Sequence, residues 1–181
     1  FAGACVVLAV VLGDDLFVAH LGDCRALLDR DGDRTWLWSR ARRPSEDAGT
    51  GPFAGGLAQL TADHVASDAA EAARVLRDGG RLELLADGKP RVARQGDLPG
   101  AVQITRSLGD AVAYPGVSAV PGVAGPIRLS GRDATLTLAT DGIFDVLPNA
   151  EVARHLRDTA PFPNMGPKSL VAAALDAGAT D

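Results

Sequence analysis

An uninterrupted aliphatic run, Ala4 to Leu12, breaks at Gly13-Asp14-Asp15 and resumes from Leu16 to Leu21. Two β-branched and aliphatic segments joined by so short a turn read as a β-hairpin. The first run is about half of what a helix needs to span a bilayer, so it reads as a buried strand. A third strand, Arg25 to Asp29, follows the Gly22-Asp23 break and ends at the Asp31-Gly32 turn. Aromatic residues are only 4%, while Gly 21 and Pro 11 supply many turns, so the core must be aliphatic. With 46% hydrophobic and 23% charged residues, the chain is neither disordered nor fibrous. Its 181 residues make one domain, enough to bury roughly two-thirds of the unfolded surface.

Thr35 to Gly56 mixes Trp, Arg, Ser, Pro and Gly without a period and reads as an inserted loop, residues 35–56. Ser67 to Asp78 carries Ala69, Ala72, Ala73, Val75 and Leu76 at helical spacing, opens on Ser67-Asp68 with Glu71 behind, and stops at Gly79-Gly80. Strand-like pieces follow at Arg81 to Leu85 and Ala101 to Thr105. Thr135 to Thr140 is a further buried strand, closed by Asp141-Gly142. Asn149 is the expected N-cap of a helix Ala150 to Arg157, and Lys168 to Ala177 is a second amphipathic segment ending at Gly178. Strands at both ends with helices between and after them predict an α+β fold of two or more layers.

A net charge of -5 gives no footprint for nucleic acid or an anionic membrane and suits metal ions or basic peptides better. Two cysteines, Cys5 and Cys24, make no disulfide framework, and their aliphatic surroundings predict inert, buried thiols. The expected setting is reducing and intracellular, with the cytoplasm favoured and an organelle left open. The chain opens directly on a strand, without initiator methionine, so an upstream segment is expected. His20, His64 and His155 have no paired His or Glu at ligand spacing and read as structural.

Acidic residues at strand ends carry the chemical signal: Asp23 after one apolar strand, Asp141 and Asp145 after another. A strand end fixes a carboxylate in place at the rim of a sheet. Hard cations such as magnesium and manganese take oxygen ligands and keep several waters, so a few convergent aspartates suffice. Asp-Gly is equally a common turn and Asp a common cap, and spacing alone does not choose between these readings.

Six segments in order change the balance: Leu16 to Leu28 with its Gly22-Asp23, Leu60-Thr-Ala-Asp-His64, the Glu71 to Gly80 helix end, Thr105-Arg-Ser-Leu-Gly-Asp110, Gly116 to Pro121, and Leu138-Ala-Thr-Asp-Gly-Ile-Phe-Asp-Val-Leu147. Together they resemble the motifs of the metal-dependent serine/threonine protein phosphatases of the 2C type across nearly the whole chain. The resemblance implies a four-layer α-β-β-α sandwich with two central antiparallel sheets and a metal cluster in the cleft at the sheet edges. It implies Asp141 as a ligand of a dinuclear magnesium or manganese centre, and Asp145 and Asp23, with Asp141, as ligands of a third, weaker ion. Gly178-Ala-Thr-Asp181 resembles the start of the Gly-Ser-x-Asp-Asn motif, which makes Asp181 the other dinuclear ligand. Substrates would be phosphorylated proteins, with no nucleic acid or membrane partner. Two cations bridged by a water would supply the nucleophile and stabilise phosphoryl oxygens, with no phosphoenzyme.

The chain also departs from the family pattern. It contains no Asp-Gly-His-Gly motif, which with the phosphate-holding Arg, the Glu-Asp pair and the general-acid His is expected upstream, so no catalytic residue is assigned in this partial domain. As cut here, residues 1–181 are expected to be inactive. Cys24 stands where the family usually has serine. Residues 80–103 fall where the family has its flap, and Lys89, Arg91 and Arg94 there read first as a solvated basic face, with acidic or phosphorylated partners the sharper alternative. A second reading is a pseudophosphatase, the same fold kept as a structural or regulatory subunit of a larger assembly. Buried like charges at Asp23, Asp141 and Asp145 favour the enzyme, since they repel without cations. A third is an unrelated α+β binding module.

Overall fold

The computed structural model describes residues 2–30, 56–96, 100–129, 133–159 and 164–180. The expected 35–56 insertion, up to its final glycine, and Asp181 lie outside them.

Strands β1 (Gly3–Ala4), β2 (Val6–Leu12) and β3 (Asp15–Leu21) open the chain. The predicted hairpin forms, with β2 and β3 paired from Val6↔Leu21 to Leu12↔Asp15. Gly13, at φ 63°, takes the left-handed first position of the two-residue turn, which other residues resist. The sequence reading of Ala4 to Leu12 as one buried strand is corrected in two respects. The strand breaks at Cys5, and β2 is an edge strand whose Leu8, Val10 and Leu12 are exposed while Val7 and Ala9 pack on the core. An apolar run does not reveal whether one face or both will be covered. β3 is the central strand, and Leu16, Val18 and His20 alternate as its buried face.

Strand β4 (Arg25–Arg30) lies in a second antiparallel sheet, between β5 (Leu57–Gln59) and a late strand described below. Helix α1 (Ala69–Arg77) follows. Its N-cap Asp68 accepts from the backbone N–H of Ala70 at 3.0 Å and of Glu71 at 2.9 Å, and Gly79, at φ 86°, turns the chain out of its C-terminus. β6 (Leu82–Leu84), β7 (Pro90–Ala93) and β8 (Ala101–Val102) form a separate three-stranded meander over the region expected to be the flap. Val75 of α1 packs there with Ala66, Val92, Ala113 and Val117. β9 (Leu108–Gly109) pairs with β1, and β10 (Gly122–Arg128) completes the first sheet in the order β10-β3-β2.

β11 (Asp133–Ala139) completes the second sheet as β11-β4-β5, running from Asp133↔Arg30 to Ala139↔Arg25. A single turn α2 (Asp141–Phe144), then α3 (Asn149–Asp158) and α4 (Gly166–Asp176), end the described chain. β4 is buried on both faces. Ala26 and Leu28 meet Leu16, Val18, Ala58, Leu60, Ala124 and Ile127 between the two sheets. Leu27 on the opposite face meets Phe144, Val152 and Leu170 of the helices. Full burial of each such leucine contributes about 1.5–3 kcal/mol. Helices, sheet and sheet are thus stacked in the order expected of the sandwich. Asn149 is the first residue of α3 and not its cap, because its side chain is drawn inward: it accepts from Arg25 at 3.0 Å and donates to Gln59 at 2.7 Å.

Candidate metal centre

Register explains why the acidic residues meet. β4 starts where its partner β11 ends, with Ala139 opposite Arg25. The Gly22-Asp23 turn before β4 and the Thr140-Asp141 turn after β11 therefore share one rim. Asp141 opens α2, and Asp145 follows its single turn, the Asp145 N–H donating to the Asp141 carbonyl at 2.8 Å. Four residues apart on a helical turn, the two carboxylates occupy one face. Asp23, Asp141 and Asp145 line a single cavity of about 220 Å³ with Arg25, Asp63, Val65, Ser67, Lys89, Pro90, Gln103 and Phe144.

Arg25 shares the cavity and feels the charge of Asp145 and Asp23, but its hydrogen-bonding fork is given to Asp63. Its Nε donates to Asp63 Oδ1 at 2.8 Å and its Nη2 to Asp63 Oδ2 at 2.5 Å, while the guanidinium lies 5.1 Å from the Phe144 ring centroid. Asp23 is buried, and burial, followed by the negative charge of Asp141, pushes its carboxyl above the ordinary range. Convergent carboxylate oxygens fit a hard divalent ion in kind. They do not make a closed site by themselves: among the described residues no group of three acidic, His or Cys side chains could hold a metal ion.

Behind the rim sit two cysteines and two histidines. Cys5 donates to Asp23 Oδ1 at 3.4 Å and neighbours Cys24, which is buried at 4% exposure. The nearness of the two thiols pushes Cys5 up and holds Cys24 down. The rings of His20 and His64 stack at 4.2 Å with 6° between their planes, and His20 Nε2 donates to the Ala62 carbonyl at 2.7 Å. Both are buried, which lowers their pKa, that of His64 to about 3. His155 bonds Ser169 at 3.0 Å between α3 and α4.

The histidine pair makes stability depend on pH. Below about pH 6.5 the unfolded chain binds protons that the folded His20 and His64 refuse, so stability present above 6.5 is lost progressively as pH falls toward 3. The urea midpoint of the complete protein is expected to drop between pH 7 and pH 5; equal midpoints would contradict it.

The structure brings Asp23, Asp141 and Asp145 to one cavity, and Asp181 lies outside the described residues. Sequence reasoning missed Arg25 and Asp63, whose pairing across 38 positions leaves no local signal. It favoured a solvated face for all three flap cations. Arg91 pairs with Asp87 at 3.0 Å with only 16% of its side chain exposed, and Lys89 lines the cavity. No helix among the described residues is long and apolar enough to cross a membrane.

Comparison with known proteins matches this geometry. A protein kinase and PP2C-like domain-containing protein of Oryza sativa subsp. japonica is 35% identical over 179 residues, covering 99% of this chain and 23% of that protein. The probable protein phosphatase 2C 12 of the same plant is 36% identical over 178 residues, 97% of this chain and 41% of that protein. The chain thus spans well under half the length of these relatives. The crystal structure of the serine-threonine phosphatase 2C from Toxoplasma gondii superposes with a TM-score of 0.74 at 25% identity, over 96% of this chain and 52% of its own. A C. elegans sex determining protein, at TM-score 0.75 and 24% identity over 99% of this chain and 38% of its own, shares the fold. The sequence pattern described as protein phosphatase 2C matches residues 2–181, from the first strand through both sheets and the acidic rim, and the chain belongs to the protein phosphatase 2C family.

Proposed function

We propose that this chain is part of a protein phosphatase that hydrolyses phosphoserine and phosphothreonine with magnesium or manganese. The observation that carries the reading is the convergence of Asp23, Asp141 and Asp145 on one cavity in a chain of this family. Asp141, with Asp181, would hold the dinuclear pair, and Asp145 and Asp23 with Asp141 a third, weaker ion. Bound divalent cations would supply an activated water and charge for the phosphoryl oxygens. The chain's own residues prepare the place. The β4 and β11 ends fix the carboxylates, and Asp63 takes the hydrogen-bonding fork of Arg25. Lys89, on the β6–β7 hairpin, sets a cation beside the path of an anionic substrate. Residues 80–103 would then act as the flap that meets phosphorylated proteins. One relative joins such a domain to a protein kinase, in keeping with work inside a larger assembly.

The test is phosphate release from a phosphothreonine peptide by the complete protein, titrated with manganese and magnesium. Release that appears with cation and disappears with chelator is expected. A folded protein that releases none with either ion would be a pseudophosphatase, kept as a structural or regulatory subunit.

A further inference from the structure

We propose that Cys5 and Cys24 form an oxidisable thiol pair, a modification site where peroxide closes a disulfide against the turn that carries Asp23. The pairing follows from the hairpin register. Val6 lies opposite Leu21, so Cys5 falls opposite Gly22, and the tight Gly22-Asp23 turn brings Cys24 back to the same place. Gly22 is required there: at φ 84° it is left-handed, and a Cβ on it would overlap the Cys5 sulfur. The Cys5 side chain lies against Gly22 and neighbours Cys24, and it donates to Asp23 Oδ1 at 3.4 Å. Cys5 is half-buried and Cys24 buried, so a small oxidant would have to enter from the Cys5 side.

The chemistry balances with hydrogen peroxide as oxidant. Transfer of one oxygen to the first sulfur breaks the O–O bond and gives a sulfenic acid and water. Attack by the second sulfur forms the S–S bond, breaks the S–O bond and releases a second water that takes the second thiol's proton. The two thiols lose two electrons and two protons, and peroxide ends as two waters. The disulfide removes the proton that Cys5 donates to Asp23 and straps the start of β2 to the Asp23 turn. Its effect on turnover rests on the proposed phosphatase reading; its formation does not.

The complete protein, reduced and then treated with hydrogen peroxide, is alkylated and peptide-mapped without reductant. A Cys5–Cys24 cross-linked peptide that dithiothreitol reverses is expected, with phosphate release lowered at least ~10-fold and restored by the reductant. Cys24→Ser, or Cys5→Ser if that variant misfolds, should form no such cross-link and keep its own untreated rate. Two thiols that still alkylate after peroxide, or a Cys5 sulfinic acid without cross-link, would overturn the pair. A cross-link that leaves phosphate release unchanged would overturn its influence on Asp23. Should the reduced protein release no phosphate, the phosphatase reading fails, and the peptide map still decides the thiol pair.

Discussion

Asp141→Ala in the complete protein is expected to lower cation-dependent phosphate release from a phosphothreonine peptide by at least ~100-fold, about 2.7 kcal/mol in the barrier. Asp141 stands at the meeting of β11 and α2, lines the cavity with Asp23 and Asp145, and belongs to both ion sites that the proposed function invokes. Its removal is not expected to unfold the chain. The side chain is half-exposed, and its charge works against Asp23, whose carboxyl it helps to push up. The variant should therefore keep or slightly raise its urea midpoint without cation, while manganese binding by calorimetry weakens. Unchanged turnover would remove Asp141 from the site; collapse of the fold would show a structural carboxylate.

Glu71→Ala should have the opposite profile, a large loss of stability. Glu71 is 6% exposed on α1. It accepts from Arg106 at 3.1 Å, from Arg74 at 3.2 Å and from the Thr105 hydroxyl. Arg74 goes on to the carbonyls of Thr105 at 2.8 Å and Gly116 at 3.2 Å, and Arg106 to that of Val120 at 3.2 Å. One carboxylate thus ties α1 to the segment that leads into β10. Alanine takes the shared carboxylate from between two interior guanidiniums, Arg106 and Arg74, the second of which keeps Asp78 at 3.0 Å, at a cost of about 3–5 kcal/mol. Glu71→Gln should lose less, since it still accepts hydrogen bonds. Burial alone would raise the Glu71 pKa, but hydrogen bonds from Arg106, Thr105 and Arg74 hold it at about 2. Its contribution is complete above about pH 4.5 and fades as pH falls toward 2, below the range in which the histidines begin to titrate. Urea unfolding of both variants at pH 7 measures the effect; a loss under about 1 kcal/mol for Glu71→Ala would refute it.

Local chemistry explains what was legible in the sequence. The β2–β3 hairpin announces itself by its turn, α1 by Asp68 and the Gly79-Gly80 stop, and the carboxylates by their place after apolar strands. What stayed hidden needs contacts between distant residues. Asp141-Gly142 reads as a turn, and α2 forms there because Phe144 finds a cover in Leu27 and Val152. Asn149 looks like a cap until Arg25, 124 positions earlier, competes for its oxygen. Glu71 reads as the acidic residue of a helix start, and nothing nearby shows that Arg106 will claim it. The exposed outer face of β2 is invisible for the same reason, since alternation fails in an all-apolar run.

Arg25 gives the rim a mechanical character. Its planar fork is seated on Asp63, its remaining nitrogen on Asn149, and its face on Phe144. These three contacts belong to the loop after β5, to α3 and to α2. A guanidinium cannot bend to follow one of them without leaving the others. The Asp23 turn is chained to β4 two residues away, and the Asp141 and Asp145 turn to Phe144. The spacing between the two sets of carboxylates is therefore gauged by one rigid plate and not by two loops fluctuating independently.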